Sequence, residues 1–77
     1  MRMLQQFTKD GILVSILKSN EKYILKLEIG PFEQVYKFLE SDAIQDEKSV
    51  ANLLTIEFIG KVFEVFDNMN SNYIKVK

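Results

Sequence analysis

The chain contains no cysteine and no histidine. Without thiolates there is no disulfide framework and no cysteine-based zinc site. Without imidazole there is no Ser-His or Cys-His nucleophile pair. Glycine is scarce, and Gly11, Gly30 and Gly60 stand far apart, so no glycine-rich loop can cradle a phosphate. Neither sign of charge dominates: ten Lys and Arg face eleven Asp and Glu, net -1. That balance suits neither an electrostatic nucleic-acid binder nor a disordered acidic tail. Long apolar runs are missing too. The longest, Ile12 to Leu17, is interrupted by Ser15 and falls far short of the ~20 residues of a membrane helix. Gln5, Gln6, Thr8, Lys9 and Asp10 occupy the place where an export signal would be apolar. The expectation is a cytoplasmic protein with no membrane association.

What is present is 77 residues, enough for a single small domain with a thin stability margin. Charge is unevenly spread. Residues 1–39 carry net +2, residues 40–69 net -5, and Lys75 and Lys77 restore +2 at the end. The frequent Ile, Asn and Lys point to an AT-rich coding sequence, of bacterial, phage or mobile-element type.

The first half reads as a β-meander. Asp10-Gly11 suits a two-residue type I′ turn, which needs positive φ at both positions. A second turn falls at Ser19–Lys22. These turns set Lys9 opposite Ile12, Phe7 opposite Val14 and Gln5 opposite Ile16, then Lys18 opposite Tyr23, Ile16 opposite Leu25 and Val14 opposite Leu27. One sheet face then collects Phe7, Ile12, Val14, Ile16, Tyr23, Leu25, Leu27 and Ile29 as a core. The other keeps an apolar strip of Leu4, Leu13, Leu17 and Ile24 among polar residues.

The second half is read in three pieces. Residues 31–40 place Phe32, Val35, Tyr36 and Leu39 at helical spacing, with Glu33 and Lys37 as an i, i+4 pair. A short helix is favoured there over a fourth strand. Residues 42–54 read as a helix, with Asp42 and Gln45 as its capping pair. Over 56–69, Glu57, Lys61, Glu64 and Asn68 form a polar stripe of helical period. The alternative is a helix stopped by Gly60 and a strand from Lys61 to Phe66, turning through the Asn-rich 68–72 into a strand over 73–77. Val62, Phe63, Val65 and Phe66 are weak helix formers, which favours this C-terminal hairpin. The expected class is α+β: a meander of three or four strands packed on one or two helices.

Candidate chemistry is sparse. The carboxylate pairs Asp42/Asp46 and Glu57/Glu64 could share a proton or hold Mg²⁺, but such spacings commonly mark a solvated acidic helix face. Asn68, Asn70 and Asn72 alternate as in a calcium loop, yet Tyr73 stands where that loop needs glycine. No metal or cofactor is expected. Sheet-plus-helix proteins that bind single strands use a basic face with stacking aromatics. Here Lys22 and Lys26 lie on the outer face, while Phe7 and Tyr23 lie on the core face. Phe58, Phe63 and Phe66 either close over the meander core or serve a partner chain.

The reading that emerges is a non-enzymatic protein-interaction domain: an inhibitor, an adaptor or a homodimeric accessory protein. Its partner is another protein or a second copy of itself. A single-stranded nucleic-acid binder is the second reading. The expected recognition residues are the strip Leu4, Leu13, Leu17 and Ile24 and the acidic cluster Glu57, Glu64 and Asp67, the latter suited to a basic partner surface.

Overall fold

In the computed structural model, which describes residues 1–76, four antiparallel strands precede two helices. The strands are β1 (Arg2–Lys9), β2 (Ile12–Ser19), β3 (Lys22–Ile29) and β4 (Phe32–Leu39), paired in sequence order. The helices are α1 (Glu47–Ala51) and α2 (Ile56–Val76). The α+β meander with C-terminal helices follows from the turns. Asp10 and Gly11 take φ of 52° and 83°, as a type I′ turn requires, and Asn20 takes 57° in the second turn. Lys9 pairs with Ile12, Phe7 with Val14, Lys18 with Tyr23 and Val14 with Leu27, the register that the turns dictate.

Residues 32–39 form a strand, not the helix that their spacing suggested. Gly30 at φ 55° and Pro31 make a two-residue loop, and Ile29 pairs directly with Phe32. A free edge of β3 offers a ladder of main-chain hydrogen bonds over eight residues. The Glu33/Lys37 pair of a helix would offer only ~0.3–0.5 kcal/mol. Alternation then sends Phe32, Gln34, Tyr36 and Phe38 to the core side and Glu33, Val35, Lys37 and Leu39 to the other.

The helix expected over 42–54 shrinks to α1. Its N-cap is Asp46, not Asp42: the Asp46 carboxylate accepts from the Ser49 N–H and from the Ser49 hydroxyl, both at 2.8 Å. The residues before it fold back instead, with Ser41 and Ile44 exchanging main-chain hydrogen bonds while Ile44 is buried.

The expected C-terminal hairpin is absent, and α2 runs unbroken through Gly60 and the Asn-rich segment. Thr55 starts it, its hydroxyl accepting from the Phe58 N–H at 3.1 Å. Ile59, Val62 and Phe66 are buried, and Phe58, Phe63 and Met69 pack around them. Gly60 lies on the opposite, solvent side, where it terminates nothing. Tyr73 to Val76 belong to the last turn of α2, and Lys77 lies outside the described residues.

One core results. Ile12, Val14, Ile16, Leu25 and Leu27 of the central strands meet Ile44, Val50, Ile59, Val62 and Phe66. The phenylalanines of α2 close over the meander. Gln34, buried beneath α2, donates from Nε2 to the Val62 carbonyl at 3.0 Å and accepts the Tyr36 hydroxyl at 2.7 Å. No buried side-chain nitrogen or oxygen among the described residues lacks a partner. No helix among them is long and apolar enough to cross a membrane.

Candidate interaction surface

Both helices pack on one side of the sheet, and no element among the described residues covers the other. That open face is built by alternation from all four strands, with Met3, Gln6 and Thr8 contributed by β1. Across it run the rows Thr8, Leu13, Glu28, Glu33; Gln6, Ser15, Lys26, Val35; and Met3, Leu17, Ile24, Lys37. Lys22 pairs with both Ser19 and Leu39 at the far end.

Three residues of the expected strip, Leu13, Leu17 and Ile24, lie on this face. Leu4 does not. A bulge between Met3 and Gln5 shifts the register, so Met3 rather than Leu4 stands opposite Leu17. Leu4 becomes the extra residue and packs against the core instead. Alternation alone could not reveal this, because a bulge inserts one residue without changing the hydrophobic pattern of its partner strand. The reading of 31–40 as helix also hid Val35 and Leu39, which the fourth strand adds to the face.

The exposed apolar residues here are Met3 (50%), Leu13 (37%), Val35 (44%) and Leu39 (69%). Ile24 is buried at 7% in the middle of the face. Ser15, also buried, accepts the Gln6 side-chain amide at 3.0 Å. Lys26 lies between two carboxylates, 3.7 Å from Glu28 and 3.9 Å from Glu33. The surface is a mosaic of aliphatic side chains and balanced charge. No aromatic ring stands on it: Phe7, Tyr23, Phe32, Tyr36 and Phe38 all belong to the core side.

The acidic residues Glu57, Glu64 and Asp67 are exposed on the solvent side of α2, away from the sheet. Glu57 and Glu64 lie two turns apart, with Lys61 between them, and Asp67 follows one turn on. The structure therefore splits the expected recognition residues between two opposite sides of the molecule.

Groups capable of chemistry are no better assembled. An open cleft of about 370 Å³ is lined by Glu21, Leu39 and Glu40. Beside it, Lys18 contacts Glu40 at 3.0 Å and the Tyr23 hydroxyl at 3.2 Å, and Tyr23 donates to the Gln45 carbonyl at 2.7 Å. The Glu40 carboxylate, then the Tyr23 oxygen, hold the Lys18 ammonium above its ordinary pKa, so it stays a cation. Asp46 is held below the usual carboxylate value by the Ser49 N–H and then the Ser49 hydroxyl. Both shifts arise from structural hydrogen bonds. No cluster of acidic residues among the described residues is arranged to hold a metal ion. Comparison with protein-family models, with curated proteins and with solved structures finds no match.

Proposed function

We propose that this chain is a non-enzymatic protein-interaction domain, and that the open face of its sheet is the surface that recognises a partner. One observation carries the reading: a four-stranded sheet has helices on one side only, and its other side keeps exposed aliphatic side chains in its rows. A sheet face left to water usually reads as polar throughout. Aliphatic groups interspersed with lysine and glutamate are the composition of a protein-binding patch, where apolar burial supplies affinity and charge selects the partner. The role is that of a small inhibitor, adaptor or accessory protein acting by shape, in the cytoplasm as its cysteine-free composition suits.

The test is affinity capture from the native host with mass spectrometry, using the wild-type chain and Leu13→Lys plus Leu17→Lys. Both substitutions lie on the central strand β2, away from either sheet edge. The captured set is expected to disappear with the double variant and to survive Glu57→Lys plus Glu64→Lys. Retention of the same set by the β2 variant, with its circular dichroism unchanged, would refute the open face as the recognition surface.

A further inference from the structure

The two edges of the sheet differ. β1 carries the bulge at Leu4, and a bulge spoils an edge as a template for another strand. β4 has no such device. It pairs with β3 in unbroken register from Phe32 to Leu39, contains no proline, and has no strand beyond it among the described residues. Its hydrogen-bond phase is fixed by Glu40, whose N–H donates to the Glu21 carbonyl at 2.8 Å. Counting back in twos, Phe32, Gln34, Tyr36 and Phe38 turn their main-chain groups toward β3. Glu33, Val35, Lys37 and Leu39 turn theirs to the free edge.

We propose that β4 pairs antiparallel with β4 of a second copy of this chain, about a twofold axis at Val35, joining the two sheets into one. A twofold normal to the sheet keeps open face with open face. A register shifted by a single residue would set core side chains against solvent-facing ones and is excluded. In the register centred on Val35, Glu33 stands opposite Lys37 of the second copy, twice by symmetry. Val35 meets itself, Phe32 meets Phe38, and Gln34 meets Tyr36. Charge pairs, aromatic pairs and β-branched pairs are the contacts that stabilise neighbouring strands. Moving the centre by one residue either way sets Lys37 opposite Pro31 or Val35, and both charge pairs are lost. Within its own chain, Lys37 has no ion-pair partner among the described residues.

The helices fit the same axis. Phe58 of α2 packs against Tyr36 of β4, ring centroids 5.5 Å apart, so the side of α2 that bears Phe58 is its β4 side. Val65 and Met69 follow on that side at helical spacing, and Val65 is 41% exposed. The twofold runs the two α2 helices antiparallel on one side of the joined sheet, with these residues facing across the seam. Edge pairing plus helix flanks is an interface at the small end of the stable range. Area alone fixes no affinity, and a weak association, with a dissociation constant on the order of 10 μM, is expected.

Light scattering at about ten times that concentration, where about four-fifths of the chains are paired, is expected to give a weight-average mass about 1.8 times the chain mass of 9.0 kDa. Glu33→Lys alone sets lysine against lysine, and Lys37→Glu alone sets glutamate against glutamate. Each is expected to dimerise about tenfold more weakly than wild type, and an equimolar mixture of the two to recover association, because their charges then pair again. A second measurement uses the unaltered chain. Glu33 and Lys37 are four residues apart on one strand, ~13 Å, too far for a zero-length carbodiimide link within a chain. A Glu33–Lys37 link is therefore expected between copies. A monomeric wild type, or a dimer that neither charge variant weakens, or a folded mixture without recovery, or a dimer without that link, would overturn the proposal. Glu33 and Lys37 lie on the open face as well, so the dimer is judged by mass and cross-link, whereas the open-face reading is judged by capture with Leu13→Lys plus Leu17→Lys, which leaves β4 unaltered.

Discussion

Tyr23 joins three parts of the chain through one hydroxyl. Its ring is buried at 4% exposure, its hydroxyl donates to the Gln45 carbonyl, and it accepts from Lys18, which also holds Glu40. The segment between β4 and α1 is thereby fastened to β2 and β3. Tyr23→Phe keeps the ring and removes the hydroxyl, leaving the Gln45 carbonyl unsatisfied at a cost of about 1–2 kcal/mol. Urea unfolding is expected to show a lower midpoint with an unchanged slope, and an unchanged midpoint would refute the latch. Charge makes the surrounding bonds sensitive to pH at two ends of the scale. Lys18 has a folded pKa raised above 10.5, so its contribution is complete below that value and is lost as pH rises through the elevated one. Asp46 has a folded pKa lowered below 3.8, so its cap contributes fully above that value and is lost as pH falls through the depressed one. Thermal melts of wild type and Asp46→Asn are expected to differ at neutral pH and to converge in acid. A constant difference at every pH would show that the cap does not depend on the carboxylate.

At the scale of elements, Gly60 shows how local and global signals compete. It stands inside α2 on the solvent side, its φ is not in the left-handed region, and a Cβ placed there meets nothing within 4 Å. Gly60→Ala is therefore expected to stabilise by roughly 0.8–1 kcal/mol, raising the melting temperature by about 4–8 °C. A calorimetric scan showing no rise would mean that this position needs the glycine for another reason. The same residue misleads a reading of the sequence, because glycine beside Val62, Phe63, Val65 and Phe66 looks like a helix stop before a strand. The polar stripe of Glu57, Lys61, Glu64 and Asn68 carried the better signal, since burying one side of a helix outweighs weak propensity. The meander was legible because Asp10-Gly11 fixes a register that two strands then satisfy together. The fourth strand was not, because Phe32, Val35, Tyr36 and Leu39 fit a helix locally and only the free edge of β3 decides otherwise. Leu4 was misplaced for a comparable reason: a bulge leaves no mark in the partner strand β2, whose turn set the register. Of the open face, the part on β2 and β3 was readable from the turns, whereas Val35 and Leu39 depended on β4.

At the scale of the whole molecule, the placement of charge and of rings bears on nucleic acid as a rival ligand. The open face carries Lys22, Lys26 and Lys37 against Glu28 and Glu33, and Lys26 is already engaged by both carboxylates. Every aromatic ring of the sheet points to the core side, so bases would find no stacking platform. The opposite side of the molecule bears Glu57, Glu64 and Asp67, within a segment of net -5 that repels phosphate. Joining two sheets through β4 would double the cations and anions of the open face alike and add no ring, so dimerisation does not change the sign of the argument. Single-stranded DNA or RNA is thus expected to bind no tighter than about 10 μM at physiological salt, far weaker than specific complexes. Fluorescence anisotropy of a labelled oligonucleotide measures this directly, repeated across a salt series because a phosphate-driven complex weakens steeply with salt. Tighter, salt-sensitive binding that Lys22→Glu plus Lys26→Glu abolishes would make the open face a nucleic-acid surface and displace the protein-binding reading. Binding that this pair of substitutions leaves intact would instead have to come from the other cations, Lys37 on the same face or, among the described residues of α2, Lys61 and Lys75.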